Sequence, residues 1–198
     1  MVKIEAPPPQ RVTDPLLHNL PASAQLLRIY RPHPYGSRAC GFRFTGPFSR
    51  FDHHEPGQKR GIHYSALTLS ACIVEVFGDT GLVETDGVRL ALIRTNRDLA
   101  LLDLRGSGAM RAGSVTALAA TADRDLSQQW SRFFYATSPV DGLLYSNAHN
   151  GETAVVLYER AEAALWCVRD LALAEPQLRS RLLAIARDHA MVVTSPAA

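Results

Sequence analysis

Glu75 stands alone in Ala71-Cys72-Ile73-Val74-Glu75-Val76-Phe77, a run otherwise without charge. Burying an ionised carboxylate without a partner costs several kcal/mol or raises its pKa. Such a residue either meets a cation from elsewhere in the chain or forms the wall of a cleft. Arg28 and Arg50 are the candidate cations. A second chemical group is histidine: His33, His53, His54 and His63 crowd the same third of the sequence. His53-His54-Glu55 has metal-ligand residue types. Adjacent histidines in a loop seldom converge on one ion, however, and the chain has neither a His-x-x-x-His nor a CxxC pair. No metal is expected, and these histidines are read as loop or cleft-rim residues. The glycine cluster Arg105-Gly106-Ser107-Gly108 lacks the strand–turn–helix context of a dinucleotide loop, and there is no Walker lysine and no G-x-S-x-G elbow.

The elements that must position these residues are legible in part. Leu26-Leu27-Arg28-Ile29-Tyr30 predicts a strand, stopped by Pro32 and Pro34. Residues 33–60 carry Gly, Pro, His and Arg without a sustained period, which suits a functional loop. Gly61 to Ala66 predicts a strand feeding a helix over 68–77 that ends at Gly78. Val88–Thr95 and Leu99–Leu104 read as strands around the turn Asn96-Arg97-Asp98. A helix over 123–136 has Asp123 or Asp125 as N-cap, ahead of Trp130, Phe133 and Phe134. Leu143-Leu144-Tyr145, Ala154–Tyr158 and Ala164–Leu171 read as extended, and Pro176–His189 as helical. Strands and helices mix without regular βαβ alternation. The expected fold class is therefore α+β, a mixed or antiparallel central β-sheet flanked by helices.

Length and composition bound the rest. The 198 residues suit one domain, read here as residues 23–198 behind a proline-rich, extended N-terminal arm over 1–22. A net charge of +2 gives no case for nucleic acid or an anionic membrane. No apolar stretch approaches bilayer length, and Met1-Val2-Lys3-Ile4-Glu5 does not begin a signal peptide. Cys40, Cys72 and Cys167 read as reduced thiols in a cytoplasm, with Cys72 and Cys167 in the core. Oligomeric state, a homo-oligomer included, stays open.

Leu27-Arg28-Ile29, Gly46-Pro47-Phe48-Ser49-Arg50-Phe51-Asp52, His63-Tyr64-Ser65-Ala66 with Ala71 and Glu75-Val76, and Asp141-Gly142-Leu143-Leu144-Tyr145-Ser146 occur in that order. This ordered set resembles the RES domain family over roughly residues 25–160. The resemblance implies an ADP-ribosyltransferase-like fold and an enzyme that takes NAD+ as its substrate. The family's activity is cleavage of the nicotinamide–ribose bond by water or by inorganic phosphate as co-substrate, as the toxin of a toxin–antitoxin pair. It implies an Xre-type helix-turn-helix antitoxin as partner. By position, Arg28 and Arg50 match the arginines, Tyr64 the strand tyrosine, Glu75 the glutamate and Ser146 the serine. Ser49-Arg50-Phe51 departs from the commoner Gly-Arg-Trp, and Ser146-Asn147 from Ser-Arg. The residue types suit that chemistry. Arginine forks bind phosphate oxygens. A preset carboxylate stabilises the ribosyl cation that develops as the glycosidic bond breaks. Tyr64 stacks on nicotinamide and Ser146 orients the ribose or carboxamide. Glu75, Arg28 and Ser146 are the expected catalytic group; Arg28, Arg50, Tyr64 and Ser146 are the expected NAD-binding residues. Two other readings stand beside this one: a protein ADP-ribosyltransferase toxin, and a non-catalytic module that only binds an antitoxin.

Overall fold

The computed structural model describes residues 3–194. Its main element is an eight-stranded sheet built from β1 (Leu17–Leu20), β2 (Gln25–Tyr30), β3 (Ile62–Ala66), β5 (Arg89–Thr95), β6 (Leu99–Asp103), β7 (Gly142–Ser146), β8 (Thr153–Tyr158) and β9 (Leu165–Ala172), with β4 (Leu82–Glu84) set apart. The order across the sheet is β1-β6-β7-β8-β3-β2-β5-β9, antiparallel except for the parallel pair β6–β7. β4 pairs in parallel with β10 (Val192–Thr194) as a separate two-stranded sheet. Among the described residues, four α-helices, α1 (Leu69–Phe77), α2 (Ser107–Arg111), α3 (Arg124–Thr137) and α4 (Pro176–Asp188), and two 3-10 turns, Thr116–Ala120 and Glu159–Ala164, complete the fold. The fold class is α+β, as the irregular alternation of patterns predicts. Among the described residues no helix is long and apolar enough to cross a membrane.

The sheet curls strongly. Leu26 and Tyr30 of β2 and Ala91 and Ile93 of β5 share one core with Leu99, Leu101, Leu144, Val155 and Leu157. That cluster fills the concave side. On the convex side, α3 lays Trp130 and Phe134 over Leu143, Tyr145, Val156 and Tyr158. Further along the same side, α1 and α4 cover Ile29, Ala66 and Leu90 with Ile73, Phe77, Leu178 and Leu182. Because strand side chains alternate between faces, β2, β5, β6, β7 and β8 each serve a concave and a convex core at once.

The site depends on a break in this sheet. β2 and β3 share one register pair, Leu27↔Ala66, and then diverge. Where β2 leaves, Arg43 takes its place against Ile62, exchanging both backbone hydrogen bonds at 2.9 and 3.0 Å. The irregular segment over 33–60 is thereby anchored at the edge of the split, and α1 closes the split from the convex side.

Three expectations need correction. The N-terminal arm carries a strand, because Leu17–Leu20 pairs with β6; four residues are too few to show a period in the sequence. The Gly106–Gly108 cluster opens the short helix α2. Cys167 is exposed, since β9 is a terminal strand with a neighbour on one side only.

Candidate active site

Helix α1 begins at Thr68, whose hydroxyl accepts from Ala71 N at 3.0 Å, and ends at Gly78, whose N–H donates to Val74 O at 2.9 Å. Its buried stripe is Ala71, Cys72, Ile73, Val74 and Phe77. Helical period places Glu75 just off that stripe, facing the split between β2 and β3. A cavity of about 50 Å³ lies there, lined by Arg28, Ile29, Tyr64, Ser65, Ala66, Cys72, Glu75, Val76 and Tyr145. Three residues singled out from the sequence thus share one cavity: Arg28 from β2, Tyr64 from β3 and Glu75 from α1.

Of the two alternatives open to a lone carboxylate, the structure takes the cleft wall. Glu75 makes no ion pair within 4 Å among the described residues, and as a residue it is open to solvent at the cavity mouth. Its carboxylate is nonetheless surrounded closely enough that burial raises its pKa above the usual carboxylate range. His149, Arg50 and a hydrogen bond from Tyr145 pull in the opposite direction, with His149 the strongest of the three. Tyr145 Oη donates to Glu75 Oε1 at 3.4 Å. Burial, followed by the charge of Glu75, keeps the Tyr145 phenol protonated well above its ordinary range.

Tyr64 is held rigidly. Its hydroxyl donates to Asp52 Oδ1 at 2.9 Å and accepts from Phe51 N at 3.1 Å. Asp52 is fully buried, and also accepts from Arg43 at 2.7 Å, Phe48 N at 2.6 Å and Ser49 N at 3.0 Å. This one carboxylate fixes the loop that carries Arg50. Arg50 is half-buried and donates through Nη1 to the Thr121 carbonyl. It does not line the small cavity, but its charge acts on both Glu75 and Tyr145. Arg28 donates through Nη1 to Gly41 O at 2.6 Å, and burial of its guanidinium lowers its pKa to about 10. Arg28 also lines a groove of about 890 Å³ with Arg38, Arg43, Phe42, Phe44 and Phe48.

Ser146 lies beside the cavity and not on its lining. It ends β7, paired with Thr153, and strand alternation turns its side chain to the face opposite Tyr145. Sequence reasoning missed Tyr145 and Asp52; His149, close after Ser146 in the chain, could be read only as a cleft residue, without its action on Glu75. Tyr145 stood one residue from a residue that was singled out, and strand period alone would have separated the two. His53 and His54 sit behind the Arg50 loop. His53 is buried against Tyr135 and Tyr158, with Nε2 at 3.2 Å from Glu159; His54 Nε2 faces Arg43 O at 3.2 Å. Among the described residues no group of three or more His, Cys, Asp or Glu is placed to hold a metal ion.

Fold and site together define an α+β domain whose curled sheet splits over a carboxylate, two tyrosines and unpaired arginines. The RES domain family matches residues 10–179, and the chain belongs to that family. A protein of Sinorhizobium fredii described as probable toxin y4kH is 35% identical over 82 residues, which are 41% of this chain and 65% of that protein. The match thus spans a little under two thirds of the relative's length. The crystal structure of the Mycobacterium tuberculosis MbcT–MbcA toxin–antitoxin complex contains a similar chain, with a TM-score of 0.57 and 21% identity, covering 84% of this chain and 92% of the other. At that identity the likeness is one of fold.

Proposed function

We propose that this protein cleaves the nicotinamide–ribose bond of NAD+, with water or inorganic phosphate as acceptor, and acts as the toxin of a toxin–antitoxin pair. The observation that carries the reading is the meeting of Arg28, Tyr64 and Glu75 in one cavity beside a groove large enough for the rest of a dinucleotide. Neither Arg28 nor Arg50 is paired with a carboxylate within 4 Å among the described residues, so both charges remain for phosphate. When the glycosidic bond breaks, its electron pair leaves with nicotinamide as a neutral molecule, and no general acid is required. Ionised Glu75 then stabilises the positive charge left on the ribose. Water yields ADP-ribose and a proton; phosphate yields ADP-ribose phosphorylated at the same carbon. Tyr64, its hydroxyl tied down by Asp52, offers its ring to nicotinamide. Ser146 ends β7 on the face opposite Tyr145 and is given no part in this step.

The name of the S. fredii relative supports the toxin part of the reading, and the likeness to a chain of a toxin–antitoxin complex supports an antitoxin partner, here of Xre type. The test is incubation of the purified protein with NAD+, with and without phosphate. Nicotinamide release is expected in at least one condition; its absence in both sinks the proposal. Labelled ADP-ribose carried onto a protein band would reassign the enzyme as a transferase. Glu75→Gln is expected to lower kcat by about 100-fold or more while leaving the fold intact.

A further inference from the structure

His63 on β3 is fully buried, and its Nδ1 lies 2.5 Å from Arg28 Nη1. The carbonyl of Gly41 accepts from the same guanidinium nitrogen at 2.6 Å. Nδ1 also lies 3.2 Å from the Gly41 carbonyl, but the guanidinium is nearer and has no lone pair to offer, so toward Arg28 Nδ1 accepts and the ring proton sits on Nε2. That Nε2 is buried without a hydrogen-bond partner among the described residues. Burial first, and then the charge of Arg28, hold His63 well below the ordinary histidine range, so the ring stays neutral. Phe42 packs against it with ring centres 5.3 Å apart.

The type of acceptor decides what Arg28 can do. Elsewhere in the molecule, Arg43, Arg60, Arg89, Arg97 and Arg105 are each held by a carboxylate, at 2.7–3.1 Å. A carboxylate fixes an arginine but cancels its charge. Arg28 is fixed by two neutral acceptors instead, and Arg28 lines both the Glu75 cavity and the wide groove. We propose that His63 is a positioning residue which, with the Gly41 carbonyl, presents Arg28 as a fixed and uncompensated cation for a diphosphate group where cavity and groove meet. The identity of that diphosphate as part of NAD+ rests on the function proposed above; the anion site itself does not.

Calorimetric titration with inorganic pyrophosphate tests the site, and titration with NAD+ on a Glu75→Gln background, where turnover is blocked, tests its assignment. His63→Asn places an amide oxygen where Nδ1 stood and is expected to keep both dissociation constants within about threefold. His63→Asp also supplies an acceptor but adds a negative charge. It is expected to hold or raise Tm while weakening both ligands by about tenfold or more, equivalent to about 1.4 kcal/mol. His63→Leu, with no acceptor, weakens both ligands to a similar degree. A role confined to packing predicts otherwise: Asp and Asn would behave alike, and binding would follow Tm. Unchanged pyrophosphate binding in His63→Asp overturns the inference, as does a parent protein that binds neither ligand. If His63→Asp does not fold, the contrast between Leu and Asn decides. A protein that binds pyrophosphate but not NAD+ sinks the dinucleotide reading and leaves the anion site standing.

Discussion

A carboxylate that the proposed reaction needs ionised, yet that sits where burial opposes ionisation, depends on its neighbours. For Glu75 those are His149, Arg50 and the Tyr145 hydroxyl, each favouring the charged form. Tyr145→Phe removes the hydrogen bond at 3.4 Å and leaves the ring packed against Phe51. With one stabiliser of the anion gone, the pKa of Glu75 rises. The acidic limb of the nicotinamide-release profile should move to higher pH, and kcat at neutral pH should fall by about threefold to tenfold. A pH profile that superposes on that of the parent protein would remove Tyr145 from the chemistry. Arg28 and Tyr64 stood out in the sequence through their place in the ordered set that resembles the RES family, whereas Glu75 could be found because it is an anomalous type within its own segment. Tyr145 could not, since its meaning comes from a residue 70 positions away in the chain. Asp52 was equally hidden: an Asp in a polar loop gives no sign that four donor groups converge on it.

Helix α1 is where local signals and long-range contacts agree best. The apolar stripe and the stop at Gly78 follow from sequence rules and the structure keeps both, adding Thr68 as the cap one residue ahead of the helix. What those rules do not supply is the reason Gly78 must be glycine. Its backbone is ordinary right-handed helix, so the reason is space. A Cβ there would collide with Val74 O and lie 2.7 Å from the ring of His149. Gly78→Ala therefore pushes on the residue that acts most strongly on Glu75. We expect a loss of about 1–3 kcal/mol in unfolding free energy from the overpacking, measured by urea denaturation. A drop in kcat should accompany it, as the 147–151 turn shifts. Full stability in Gly78→Ala would mean that the turn moves freely and does not hold His149. The short strands are the opposite case. β1, β4 and β10 have four, three and three residues, too few for periodicity to register. Only their pairing partners, far away in sequence, make them strands.

At the scale of the whole molecule, one sheet is bent so that a concave core and two convex cores share its strands, and the cavity with Arg28, Tyr64 and Glu75 lies at the break between β2 and β3. Bending a sheet around buried polar groups has a consequence for stability. His63 is enclosed on the concave side and His53 behind the Arg50 loop; burial, the leading cause in both, lowers their pKa values below 6.5. The unfolded chain therefore binds protons at these positions that the folded chain refuses. Folding stability is present above pH 6.5 and is lost as pH falls below it. Glu159 adds to the same trend further down. Burial alone would raise its pKa, but hydrogen bonds from His53, Tyr135 and Gly61 N outweigh that and bring it to about 2, so its contribution is lost as pH falls from 4.5 towards 2. Glu75 runs the other way, because its raised pKa makes the folded state hold a proton longer, and it costs stability as pH rises above 4.5. The histidines act in the window between pH 7.5 and 5.5. The urea midpoint should therefore decline across that window in the parent protein, and decline less in His63→Asn, which has no proton to take up. Parallel slopes in the two proteins would mean that His63 is not held neutral. The uncompensated charge assigned to Arg28 would then be shared with a second cation.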